Sequence, residues 1–266
     1  VSLVADTVPG PSAGPSLRRA RRQAGATIAA LTVLAWAVLI GWDRSPYGRY
    51  LDHDALPDAG LTLTATTAVF VVGWVVMLGA MMFPSTYSLI AVFAPLAARR
   101  GARRSLTATL LAGYVAAWTC VGLGFLLADA GLHALVERST WLREHPEAIA
   151  AATLAAAGLF QFSSLKDRCL TMCRSARMFV LTRWKGRRPH LEAFVLGAEH
   201  GRFCIGCCVG LMLVAFGLGA GNLAVMFAFG ALMATEKLAP WGQRLVAPAG
   251  IGLLGLAAAV LVAPAF

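Results

Sequence analysis

An all-α polytopic membrane bundle of about seven transmembrane helices is the fold class this sequence predicts, and three observations predict it. Only 14% of the residues are charged while 58% are hydrophobic, where a soluble globular chain carries about 25% charged residues. Mean hydropathy is +0.70. The basic residues gather in short segments between long apolar runs, as they do when a chain threads a bilayer repeatedly. A nucleic-acid partner would call for a basic stripe with interleaved aromatics, and none is present. The net charge of +10 is therefore assigned to topology, with the lipid bilayer as the partner.

Residues 1–23 read as a disordered, basic cytoplasmic leader, rich in Pro, Gly, Ser and Ala and closing on Arg18, Arg19, Arg21 and Arg22. No signal peptide with a small-residue cleavage site is evident in it. Residues 24–266 read as one transmembrane helical domain. The first span, about Ala24 to Trp42, is long enough to cross once. The acidic loop from Asp43 to Gly60, with Asp52, His53, Asp54 and Asp58, suits the outer side. The run from Leu61 to Ala98 exceeds the roughly 20 residues one crossing needs, and Pro84 should kink it. Met77, Met81 and Met82 stand just before that kink. The third span, about Leu106 to Ala128, leads to an outer loop with Asp129, His133, Glu137, Glu144 and His145.

The fourth span, about Ala148 to Leu165, carries Gln161 in its last turns, a costly polar group unless bonded. The basic segment Lys166 to Arg188 follows. A short helical entry from His190 to Gly201 leads into a fifth span, about Phe203 to Leu218. A turn from Gly219 to Asn222, which Asn222 caps, joins a short sixth span, about Leu223 to Thr235. The seventh runs from about Val246 to Ala263. On this threading all but four of the 23 Lys and Arg residues lie on the side of the N-terminus, the exceptions being Arg44, Arg49, Arg138 and Arg143. The excess of positive charge sets the N-terminus inside and the C-terminus outside, in a bacterial cytoplasmic membrane.

Five of the six cysteines fall in two clusters, Cys169 with Cys173 and Cys204 with Cys207 and Cys208. Helical spacing puts Cys169 and Cys173 on one face, and His200, Cys204, Cys208 and Met212 on another with Cys207 beside them. Both clusters lie where an apolar run meets a basic segment on the cytoplasmic side, where thiols stay reduced. Packed reduced thiols serve soft-metal binding or thiol exchange. Lys166, Arg168, Arg174 and Arg202, together with the N-terminal dipole of the fifth helix, favour the thiolate form. Cysteine with methionine selects Cu(I), and a cysteine-rich site would also suit Zn(II). Met212, with Met77, Met81 and Met82 on another span, tips the balance toward copper. Gly197, Gly201, Gly206 and Gly210 would let the fourth or second helix approach closely.

Plainer readings cover the rest. Cys120 reads as a small apolar packing residue inside the third span. His53, His133 and His145 sit in outer loops and are not candidates. Glu236 beside Lys237 reads as a snorkelling pair at the membrane surface, with a weaker reading as a functional intramembrane carboxylate. No P-loop and no Ser–His–Asp set is found, so no enzyme is assigned. A thiol–disulfide protein or redox sensor, exchanging through Cys207 with Cys204 or Cys208, stands as the alternative to metal handling.

Several of these positions form a larger pattern: Met81-Met82, Pro84-Ser85, Tyr114, Trp118, Gln161, Lys166, Cys169, Cys173 and Arg174. It continues through Gly201, Cys204, Gly206-Cys207-Cys208, Leu211-Met212, Asn222, Met226 and Glu236-Lys237. With these the chain resembles the bacterial predicted metal-binding integral membrane proteins (domain of unknown function 2182) over roughly residues 70 to 250. Phe162 stands where that family more often shows Thr-Pro shortly after the glutamine, and Val209 where an aromatic is usual. The resemblance implies metal binding of a copper-chaperone kind. On the metal-handling reading of the thiols, the expected recipient is a metalloprotein or copper oxidase.

Overall fold

A computed structural model describes residues 15–48, 60, 62–219 and 222–262. His53 and the neighbouring acidic residues of the first loop lie outside these. Among the described residues the chain is built from α-helices and short 3-10 turns, without a strand. The helices are α1 (Pro15–Asp43), α2 (Leu63–Met81), α3 (Tyr87–Ala98), α4 (Arg103–Arg138), α5 (Thr140–Glu144) and α6 (Pro146–Gln161). They continue as α7 (Ser164–Arg174), α8 (Ala176–Arg183), α9 (Pro189–Gly219), α10 (Leu223–Leu238) and α11 (Val246–Val262). Five are long and apolar enough to cross a membrane, or six if the bent pair of α6 and α7 is one span.

The threading differs from the sequence expectation in several places. The second apolar run is broken rather than merely kinked. Past Met81 the chain takes a 3-10 turn at Pro84–Thr86, where the ring of Pro84 removes an amide donor. Ser85 and Thr86 turn their hydroxyls back onto the carbonyls of Met82 and Phe83. The fourth run also breaks. α6 stops at Gln161, Ser163 accepts a hydrogen bond from the Lys166 amide to cap α7, and the two axes meet at 62°. The expected entry segment and fifth span are one continuous helix, α9. Finally, α10 has 16 residues: the short sixth run borrows a turn at its C-terminal end, as its length calls for, but none at its N-terminal end, and it stays short of a full crossing. Residues 15–23, expected in the disordered leader, are helical, with Arg19, Arg21 and Arg22 in the first turns of α1. α4 runs on to Arg138, so His133 and Glu137 are helical and not in a loop. Asn222 caps α10, as expected, by accepting from the amides of Ala224 and Val225.

α9 is the axle. In its apolar window 61% of residues are buried, against 17–33% in the other single-helix spans, and it packs on α4, α6, α7 and α10. α1 covers α2 and α3, and α11 lies along α6. Indole donors tie the layers: Trp74 Nε1 to the Trp118 carbonyl at 3.0 Å, and Trp36 Nε1 to the Ala80 carbonyl at 3.2 Å. α4 and α9 meet backbone to backbone, because a side chain on Gly197 would fall on the Leu110 carbonyl and one on Gly113 on the Phe194 carbonyl. Of the four glycines expected to admit a neighbour, Gly197 and Gly201 take α4, Gly206 takes α7 and Gly210 takes α6. The third and fourth runs thus use them, and the second does not.

Gly197→Val is expected to destabilise the fold by about 3 kcal/mol, the upper end of overpacking costs. Gly124→Val, where nothing lies within 4 Å, should change little. Thermal unfolding in detergent micelles followed by circular dichroism separates the two.

Candidate metal centre

The thiols come from two elements that the sequence separates by a long basic segment. α7 supplies Cys169 and Cys173; α9 supplies Cys204, Cys207 and Cys208. All five are buried. Cys173 Sγ lies 3.8 Å from Cys207 Sγ, which lies 3.6 Å from Cys208 Sγ and 3.1 Å from the Cys204 carbonyl. Cys169 abuts Gly206, where a β-carbon would meet its sulfur. The short helix α7 can therefore lie flat against α9 only because that position has no side chain.

Cys204 stands within reach of Cys207 and Cys208 and also meets partners on two other helices. Its sulfur lies 2.9 Å from the Tyr114 hydroxyl on α4 and accepts from Lys237 Nζ on α10, also at 2.9 Å. Lys237 donates in addition to Ser85 Oγ at 3.3 Å. Alongside, Lys166 Nζ is 2.8 Å from Glu236 Oε2 and donates to the Cys207 carbonyl at 3.1 Å. The guanidinium of Arg174 closes the C-terminal end of α10, donating to the carbonyls of Glu236, Lys237, Ala239 and Pro240.

Glu236 and Lys237 are only 0% and 6% exposed, which overturns the snorkelling reading: neither reaches the surface, and each holds a different part of the thiol site. The cation on a sulfur is Lys237. Of the basic residues expected to play that part, Lys166 pairs with Glu236 and Arg174 with α10, while Arg202, over the Phe203 ring at 5.4 Å, acts electrostatically on the Cys169 thiol as expected. The signal for Lys237 was present in the sequence as a charged pair in the last turn of an apolar helix.

His200 is buried one turn before Cys204, its ring 6.2 Å from that of Tyr114 and 5.6 Å from that of Phe179. Its Nδ1 has no hydrogen-bond partner. Met77, Met81, Met82 and Met212 are buried in the same core as the five thiols, together with Met226 and Met233, and Met233 was not singled out from the sequence. Gln161 is buried with both polar atoms unpartnered, so the bonded state its position called for is not met. Cys120 lies exposed on the outside of α4, not in the interior as its packing role implied.

Among the described residues no group of three or more His, Cys, Asp or Glu side chains already forms a metal-holding set. Cys173, Cys207 and Cys208 make a row, and Cys204, within reach of Cys207 and Cys208, also contacts Tyr114 and Lys237. The row has the right pitch for a soft ion. For a metal–sulfur bond of about 2.3 Å, sulfurs sharing one ion sit about 3.8 Å apart in a tetrahedral arrangement and about 4.0 Å in a trigonal one. The 3.8 and 3.6 Å separations observed here are close to that spacing.

No curated protein and no solved structure matches the chain. A family model does, over residues 71–260, and this stretch holds every thiol and every charged partner just described. The chain belongs to the PpoB2 family of copper chaperones.

Proposed function

We propose that the chain holds Cu(I) as cargo through the thiols of Cys173, Cys207 and Cys208, with Cys169 and Cys204 completing the set as the ion arrives. Met212, one turn below Cys208, would supply a softer contact, and His200 backs the Cys204 side. The observation that carries this reading is the approach of Cys173 on α7 to Cys207 on α9. Sulfurs packed in van der Waals contact stand at nearly the same spacing, so the reading rests on two separate helices bringing their thiols together and not on the pitch itself. Lys237 balances the charge of a Cys204 thiolate in a region where an unpaired anion is costly.

The excess of Lys and Arg on the N-terminal side supports a site at the cytoplasmic face of a bacterial inner membrane. Cargo would pass from there to a metalloprotein such as a copper oxidase. Zn(II) is the second candidate cargo.

Metal-free, reduced protein purified in detergent is expected to take up Cu(I) at micromolar concentration, with an absorption edge showing sulfur ligands at low coordination number. Failure to take up either Cu(I) or Zn(II) would sink the reading. The 3.8 Å gap between Cys173 and Cys207 also favours a second use, thiol–disulfide exchange. Rapid alkylation of one cysteine at neutral pH, unchanged by copper, would mark that chemistry. Slow labelling that copper slows further would mark the first.

A further inference from the structure

Sulfur is divided unevenly between the two cores of the molecule. Six of the eight methionines and five of the six cysteines are buried in the core around α2, α9 and α10. The second core, between α1, α3, α4, α8 and the start of α9, has no fully buried methionine or cysteine among its described residues, and only the half-buried Met172 packs against it. Methionine used only to fill gaps would serve both cores alike.

Two contacts fix the register of α2 and its following turn against α10. Lys237 Nζ lies 3.3 Å from Ser85 Oγ. Earlier on both elements, Gly230 abuts Met81, so that a β-carbon there would stand 3.4 Å from Met81 Cγ and 3.5 Å from its Cα. Met81 precedes Ser85 as Gly230 precedes Lys237, so the two elements run in the same direction. One turn further back on the two elements come Met77 and Met226, both buried in the same core. On α10, Met226, Gly230, Met233 and Lys237 recur with the spacing of a single helix face, as Met77 and Met81 do on α2. Met81 thus meets α10 at Gly230, with Met226 and Met233 one turn to either side on α10. The column starts where Lys237 touches the Cys204 sulfur at 2.9 Å. It ends at Met226, about 16 Å along the helix, or roughly half the ~30 Å apolar thickness of a bilayer.

We infer that Met77, Met81, Met226 and Met233 form a thioether lane for a monovalent soft cation, Cu(I) or Ag(I), leading between the thiols and the middle of the membrane. This rests on the copper reading above. Thioethers are soft and neutral, bind Cu(I) in preference to Zn(II), and release no proton when they do so. Neutral donors in series hold an ion less firmly than thiolates, which suits passage rather than storage.

The test uses full-length protein labelled with selenomethionine, loaded with Cu(I) and measured at both the selenium and copper absorption edges. The expected result is a copper neighbour at selenium, lost to near the metal-free level when Met77, Met81, Met226 and Met233 are all replaced by leucine. These replacements conserve volume, and each Met→Leu single variant, expected to lose part of the signal, gives the same readout should the quadruple fail to fold. Copper bound with sulfur ligands but no copper neighbour at selenium overturns the lane and leaves the thiol site standing. A selenium–copper signal undiminished by the replacements assigns the contact to other methionines and overturns it as well. No copper bound at all overturns both readings.

Discussion

Glu236→Ala is expected to lower the stability of the folded chain by about 3–5 kcal/mol, the cost of removing one partner from a buried ion pair. The Lys166 ammonium, 2.8 Å from the Glu236 carboxylate, would be left with the Cys207 carbonyl as its remaining hydrogen-bond acceptor. Both side chains are only 1% exposed, so water cannot take the carboxylate's place. The midpoint of thermal unfolding should fall by roughly 10 °C for a chain of this size. Glu236→Gln should cost less, because an amide oxygen can still accept from Lys166. Lys166→Met combined with Glu236→Met should recover most of the loss, since it removes both charges together. A double variant no more stable than Glu236→Ala would mean that the pair does not act as a unit.

Cys207→Ser is expected to lower Cu(I) affinity by more than about 100-fold, beyond the 10–100-fold that loss of a supporting contact costs a metal site. Cys207 is the thiol that neighbours both Cys173 and Cys208, so its loss divides the row. Hydroxyl oxygen is a poor donor to a soft ion, which makes serine a severe change for metal and a mild one for packing. Cys120→Ser, on the outer face of α4, serves as the control and should leave affinity unchanged. Competition against a chromophoric Cu(I) chelator reads both. Equal affinity in the two variants would remove Cys207 from the ligand set.

The helices were legible because apolar runs and basic punctuation record them directly. Pro84 announced its break through the amide it lacks. The break after Gln161 carried a fainter mark, a single capping serine at Ser163 with neither proline nor glycine beside it. Helical spacing grouped the cysteines correctly on their own helices. It could not say that Cys204 would also meet Tyr114 and Lys237, because periodicity gives the faces of a helix and not what each face meets. Glu236 and Lys237 were read as surface residues because a charge near a span end usually escapes to water. Arg174 prevents that by fastening the end of α10 with four carbonyl bonds. Met233 was overlooked for a related reason: alone it is an ordinary apolar residue, and only Met81 seated on Gly230 gives it company.

The angle between α6 and α7 carries a mechanical consequence. Cys173 stands ten positions beyond Ser163, at the tip of a lever about 15 Å long pivoting at that corner. A swing of only about 10° would displace its sulfur by about 2.5 Å, more than the length of a metal–thiolate bond of about 2.3 Å. Lys166 near the pivot and Arg174 at the tip both fasten the lever to α10. Whatever shifts α10 therefore also sets how tightly the two halves of the sulfur row can close.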